Sequence, residues 1–286
     1  MPKQPILLNV IGVNNVDIDK TKCVGCGNCH TICPMGAISL DIDGKSIVNQ
    51  DECVECSTCY RVLRDEGFPS MAVRAIRSVL SFLHLQYVAE VDVCPTGALT
   101  PPELEYPRSL RAAFSDPTVV HAGTGVGGRG TEEIKTNDVT GRLGEGEAGI
   151  VIELGRPGTG AHFRDVEKIA MALAPLEPHF EAFNPVTQLM TDTTTGKIRD
   201  DVLDEKVLSA IIEVKTRLEK IPDYLNTLKE IQEETDAVFS VGVASKCNPD
   251  GSVPHEKWVR EAGYKLSSNG KTNLGLGRPL YKEAEQ

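Results

Sequence analysis

The residues most able to do chemistry in this chain are the cysteines of Cys23-Val-Gly-Cys26-Gly-Asn-Cys29-His-Thr-Ile-Cys33-Pro34. Three thiols two residues apart, then a fourth three residues on and followed by proline, have the spacing of an iron–sulfur cluster loop. Three thiolates so spaced can wrap one four-iron cube, and Gly25 and Gly27 let the backbone aim N–H groups at sulfur. The fourth thiol of such a run serves a second cube. A second triplet follows at Cys53-Val-Glu-Cys56-Ser-Thr-Cys59, but its Cys-Pro arrives only at Cys94-Pro95, after residues 60 to 93. The tails match: Cys33-Pro-Met-Gly-Ala-Ile38 and Cys94-Pro-Thr-Gly-Ala-Leu99 share one pattern.

Other uses of eight cysteines fit less well. A disulfide framework suits small secreted chains, and nothing at the N-terminus reads as a secretory signal. Zinc sites show two Cys-x-x-Cys pairs around a spacer, which triplets with trailing Cys-Pro do not. Residues 20 to 59 and 90 to 99 resemble the bacterial two-[4Fe-4S] ferredoxin family. The resemblance implies two [4Fe-4S] clusters with crossed ligation. Cys23, Cys26, Cys29 and Cys94 would hold the first, and Cys53, Cys56, Cys59 and Cys33 the second. The insertion between Cys59 and Cys94 is this chain's departure from the family.

The positioning elements read as follows. Branched residues over 5 to 19 predict a strand leading into the first loop. Ala37 to Asp41, an Asp43-Gly44 turn and Lys45 to Val48 predict a hairpin that delivers the chain to Cys53. In the insertion, Val73, Ile76, Val79, Leu80, Leu83 and Val88 recur at helical spacing. A helix covering the second cluster is the reading preferred to a partner-docking face. The first domain is thus 1–100, with a helical insertion at 60–93. A Pro/Gly-rich connector follows over 101–147, stiffened by Pro101-Pro102, Pro107 and Pro117.

Within it a predicted strand, Thr118 to Ala122, precedes Gly123-Thr-Gly-Val-Gly-Gly-Arg-Gly130. The Gly-x-Gly-x-x-Gly pattern suits phosphate, but residues 131 to 142 lack the apolar period of the helix it needs, so a structural loop is preferred to a nucleotide site. Over 148–286, predicted strands at 150–154, 179–183, 207–214 and 237–243 alternate with helices marked by Phe163 to Leu173 and Leu218 to Leu228. That is a β-α-β-β-α-β pattern, resembling the ferredoxin-like sandwich of ACT-type domains, followed by a helix and a hairpin at Asn269-Gly270. The fold class expected is α+β. Arg156 and Arg278, in two Gly-Arg-Pro turns, are candidate anion ligands set against ordinary turn arginines. His30 reads as a solvent-facing residue of the first loop, and Cys247 as part of a surface turn.

The 286 residues fit about two domains, and 41 acidic against 30 basic side chains leave a net charge of −11. Such a balance disfavours nucleic acid and anionic membranes and favours a basic patch on a protein partner. The apolar stretch Met71 to Val91 is broken by Arg74, Arg77, His84 and Glu90, so it is not a membrane span. Thiols committed to clusters imply a reducing, cytoplasmic setting, and oxygen-labile clusters an anaerobe. With no nucleophile–base pair legible, the expectation is an electron-transfer subunit of an oxidoreductase complex rather than a catalyst by itself. Its partners would be a redox protein or complex subunits, with homo-oligomerisation possible through the C-terminal domain. The alternative is an enzyme or metabolite-sensing regulator with a small-ligand site in the C-terminal half.

Overall fold

The structure is a computed structural model that describes residues 15–61, 67–85, 93–125, 127, 141–156 and 158–267. The chain divides into two compact units, Met1–Ser109 and Leu110–Gln286.

The first unit contains β1 (Asp17–Ile18), α1 (Asn28–Ile32), β2 (Ile38–Leu40), β3 (Ser46–Val48), α2 (Ser70–Phe82) and β4 (Leu99–Thr100). Strands β1 and β4 pair antiparallel, with Ile18 opposite Leu99. Strands β2 and β3 form the expected hairpin. Its turn is held by Asp41 Oδ1, which accepts the N–H groups of Asp43 and Lys45 at 3.0 and 2.8 Å. Strands of two or three residues have little stability of their own. Nine buried residues form the unit's apolar core, and three of them are cysteines.

Helix α2 departs from its expected place. Ser70 Oγ donates to the Lys22 carbonyl at 3.0 Å, and Arg77 Nη1 to the Val24 carbonyl at 2.5 Å. The helix therefore lies against the loop of the first cysteine triplet, not the second. Val73 is its buried side chain, while Met71, Ile76, Val79 and Phe82 are exposed.

The second unit opens inside α3 (Ser109–Ser115), at Leu110, and this helix stands where an extended connector was expected. The prolines that suggested stiffness lie on either side of it, and Phe114 is buried edge-on against Phe163, ring centroids 5.0 Å apart. Then come β5 (Glu147–Leu154), β6 (Ala161–His162), α4 (Phe163–Leu173), β7 (His179–Phe180), β8 (Met190–Asp192), β9 (Lys197–Ile198), β10 (Lys206–Val207), β11 (Ala210–Arg217), α5 (Ile221–Ile231), β12 (Phe239–Ser245) and α6 (Pro254–Glu261).

The main sheet runs β12-β5-β11-β7, with every neighbouring pair antiparallel. This is the strand order of a β-α-β-β-α-β unit. Ile150, Ile152 and Leu154 alternate along β5 and share one buried core with Ile212 and Val214 of β11, Phe163 and Ile169 of α4, and Tyr224 and Leu228 of α5. The opposite face is also closed to solvent at Val151, Ile211 and Glu213.

Three strands differ from expectation. The apolar run 207–214 is broken: β10 pairs with β6, and Leu208 donates its N–H to Ser115 Oγ at 2.9 Å before β11 begins. The strand expected over 179–183 is two residues long, because the chain turns at Glu181, whose carbonyl accepts Asn184 N–H. Thr118 is drawn into a turn by Asp116 Oδ1, which takes both its N–H and its hydroxyl, leaving a single bridge from Val120 to Gly127. The remainder of the Gly-rich loop, Arg278 and the Asn269-Gly270 hairpin lie outside the described residues, as does most of the strand expected over 5–19.

Candidate metal centres

Two hollows in the first unit gather the eight motif cysteines. Cys23, Cys26, Cys29 and Cys94 line one of about 290 Å³, together with Ile18, Val24, Ser46 and Leu99. Cys33, Cys53, Cys56 and Cys59 line the other, of about 380 Å³, together with Val16, Ile38, Val54 and Tyr60. Each hollow thus combines one triplet with the Cys-Pro cysteine of the other motif. Both walls are mainly apolar.

The two loops repeat one backbone course. Gly25 and Gly27 have φ of 62° and 79°, and Glu55 and Ser57, at the same places in the second triplet, have φ of 53° and 59°. The course is obligatory at Gly25, where a Cβ would sit 2.0 Å from the Gly44 carbonyl oxygen. In the second loop two non-glycine residues adopt the left-handed region, at roughly 1–2 kcal/mol each. An ion pair holds Glu55 there. Arg108 Nε and Nη2 reach Glu55 Oε1 at 2.8 and 2.6 Å, and its other donors reach the Gln50 carbonyl and Gln50 Oε1. Glu55 Oε2 is buried without a hydrogen-bond partner.

The Cys-Pro tails are equivalent too. Ala37 N–H donates to Cys33 Sγ at 3.3 Å and Ala98 N–H to Cys94 Sγ at 3.1 Å, each after a glycine with positive φ, Gly36 and Gly97. Ser46 N–H donates to Cys23 Sγ at 3.4 Å, and Ser46 Oγ lies 3.5 Å from Cys29 Sγ. His30 is not solvent-facing: it is half-buried, with Nε2 3.0 Å from that same Ser46 Oγ. Amides and hydroxyls aimed at sulfur lower the cost of accumulating negative charge there.

Burial pushes the Cys29 thiol up to about 11, and its neighbours Cys26, Cys94 and Cys23 add repulsion. Burial and the Glu55 carboxylate push Cys53 up to about 12. Cys59 rises as well, from burial and then from Cys53, Cys56 and Cys33. Thiolates in these hollows would need a compensating cation, and the all-sulfur donor set of each hollow suits iron–sulfur clusters. Among the described residues no group of three or more His, Cys, Asp or Glu converges on a single-ion site. A polynuclear iron–sulfur cluster, whose thiolates would sit on separate irons, would not need such convergence.

Of the other candidates, Arg156 Nη1 lies 3.5 Å from Glu153 and so has a local carboxylate. Cys247 is half-buried, ahead of a turn closed by Asn248 N–H to the Ser252 carbonyl. Sequence reading missed Ser46, Glu55, Arg77 and Arg108. The visible trace of one of them was Glu55 standing where the first triplet has Gly25.

Residues 16–39 match the 4Fe-4S binding domain family, so this stretch is of the 4Fe-4S ferredoxin type. Over 42 residues the chain is 43% identical to a pyruvate synthase subunit, PorD, of Methanocaldococcus jannaschii. The match spans 15% of this chain and 49% of the relative, about half its length. No solved structure matches the chain. No helix among the described residues is long and apolar enough to cross a membrane.

Proposed function

We propose that this chain is an electron-transfer protein that carries two [4Fe-4S] clusters with crossed ligation and serves as a subunit of an oxidoreductase complex. The observation that carries the reading is the pairing of each triplet with the distant Cys-Pro cysteine in one apolar hollow. Cys23, Cys26, Cys29 and Cys94 hold the first cluster, and Cys53, Cys56, Cys59 and Cys33 the second. A bound cube takes up and releases one electron at a time, at a potential set by burial, hydrogen bonds to sulfur and nearby charge. The chain's own groups then divide the work. The tail amides of Ala37 and Ala98 and the Ser46 amide donate to cysteine sulfur, and Val16, Ile18, Ile38 and Leu99 exclude water. The relative's name, a subunit of pyruvate synthase, supports placement in a multi-subunit oxidoreductase. The second unit is assigned a docking or regulatory part, and a reducing, cytoplasmic and anaerobic setting suits thiols committed to oxygen-labile clusters.

Protein purified without oxygen should contain about eight irons and eight sulfides per chain. Cys94→Ala should impair the cluster held by Cys23, Cys26 and Cys29, and Cys33→Ala the other, as read by electron paramagnetic resonance of the reduced protein. Selective loss in the opposite sense would overturn the crossed assignment.

A further inference from the structure

The outer face of α2 has no described partner within the chain. Helical spacing sets Met71 and Phe82 at its centre, Ile76, Val79 and Leu83 along one flank, and Arg74 on the other. Met71 and Phe82 are 81% and 83% exposed. Apolar side chains gathered in the open on one helix face mark a contact surface. Its charge is equally distinctive. The chain holds 41 acidic residues, yet the segment 67–85 has none and carries two arginines. On its inner side Arg77 is fastened to the Val24 carbonyl, and Val24 lines the hollow of Cys23, Cys26, Cys29 and Cys94.

Resting on the electron-transfer reading above, we propose that α2 is the docking face for a redox protein whose own patch is apolar with carboxylates at its rim, and that electrons cross there to or from the first cluster. Charge complementarity selects this occupant. A second copy would bring the same acid-free face, with its own exposed Arg74, against this one and offer that arginine no carboxylate. An anionic membrane would attract Arg74 but repel a chain of net charge −11, and helices that lie on membranes carry many more basic residues. A partner on the outer face would stand about one helix diameter, ~10 Å, from the loop of the first cluster.

The test uses the full chain in its native cells, with the photo-cross-linker p-benzoylphenylalanine replacing Phe82 or, as a control, the exposed Phe183 of the second unit. Irradiation should give an adduct of one defined mass from position 82 and none from 183. The captured protein should bear a redox group and have carboxylates beside the linked residue. Arg74→Glu, and separately Ile76→Ser with Val79→Ser, should lower the adduct yield about tenfold. Iron content and bleaching by dithionite should stay at the wild-type level, as expected for exposed positions. No adduct at 82, an adduct with a second copy, or binding of the wild type to phosphatidylglycerol vesicles that the same variants abolish would each overturn the proposal. A wild-type protein without iron would instead overturn the electron-transfer reading, whatever position 82 captures.

Discussion

Glu55 shows how one ion pair can offset two costs carried by a single residue. Its left-handed backbone is unfavourable for a side chain, and its fully buried carboxylate would be worse without Arg108. Removing one member of a buried pair leaves the other charge uncompensated, at roughly 3–5 kcal/mol. Arg108→Met should therefore lower the melting temperature of the anaerobic protein and selectively reduce iron held by Cys53, Cys56, Cys59 and Cys33. Two glycines of equal φ, Gly25 and Gly36, separate space from strain. Gly25→Ala would drive a Cβ into the Gly44 carbonyl, whereas Gly36→Ala meets nothing within 4 Å and bears only the strain of its φ of 62°. Iron analysis should show the first cluster depleted in Gly25→Ala, and near-full loading in Gly36→Ala, with about 1–2 kcal/mol less stability. Cysteine spacing revealed the loops because spacing is a local property. Ser46, Arg77 and Arg108 were hidden because each reaches its loop through folding, Arg108 from 53 residues away.

Among the elements, those with a clear period were legible, and those defined by their neighbours were not. Helix α4 shows its buried face in Phe163, Val166, Ile169 and Leu173, so its stripe could be read directly. The helix α2 stripe was equally visible, but period alone cannot tell a core face from a docking face. Residues 207–214 looked like one strand because every break in an apolar run costs nothing in pattern. The break comes from Ser115 Oγ capturing the Leu208 N–H, a contact 93 residues apart. Helix α3 escaped notice between prolines, yet it gives Phe114 to the core. Phe114→Ala should destabilise the second unit by about 3–5 kcal/mol, measured by chemical denaturation. Strand β11 also supports a pH prediction. Glu213 is buried beside Arg142 and Asn184, and burial raises its carboxyl above the usual range despite Arg142. Folding thus favours its protonated form. Its contribution is fully present below the unfolded value, about 4.3, and is lost as pH rises through the raised folded value. Glu213→Gln should flatten stability against pH across that window.

At the scale of the whole molecule, the two units draw on different sources of stability. The first has strands of two or three residues and a core of nine buried residues, three of them proposed iron ligands. Without metal the loops lose the group that would join triplet to tail. The binding free energy of a metal centre is then folding free energy. Among the described residues the second unit has 23 buried residues in one core, drawn from α3, α4, α5, the main sheet and the short strands and loops between them, and contains none of the proposed ligands. Its first element lies well before residue 148, so a fragment cut at 148–244 loses Phe114, the buried Leu143 and the Arg142 partner of Glu213. A fragment 110–267 keeps all three, together with Val259 of α6, which packs with Ile221 and Leu225. Calorimetry of the iron-loaded chain should show two transitions, and stripping the iron with a chelator should abolish one while leaving the other within a few degrees. The 110–267 fragment should reproduce the surviving transition, and the 148–244 fragment should melt lower or without cooperativity. A chain that loses both transitions with its iron would show that the second unit depends on the first, and the docking or regulatory body assigned to it could not then act as a separate domain.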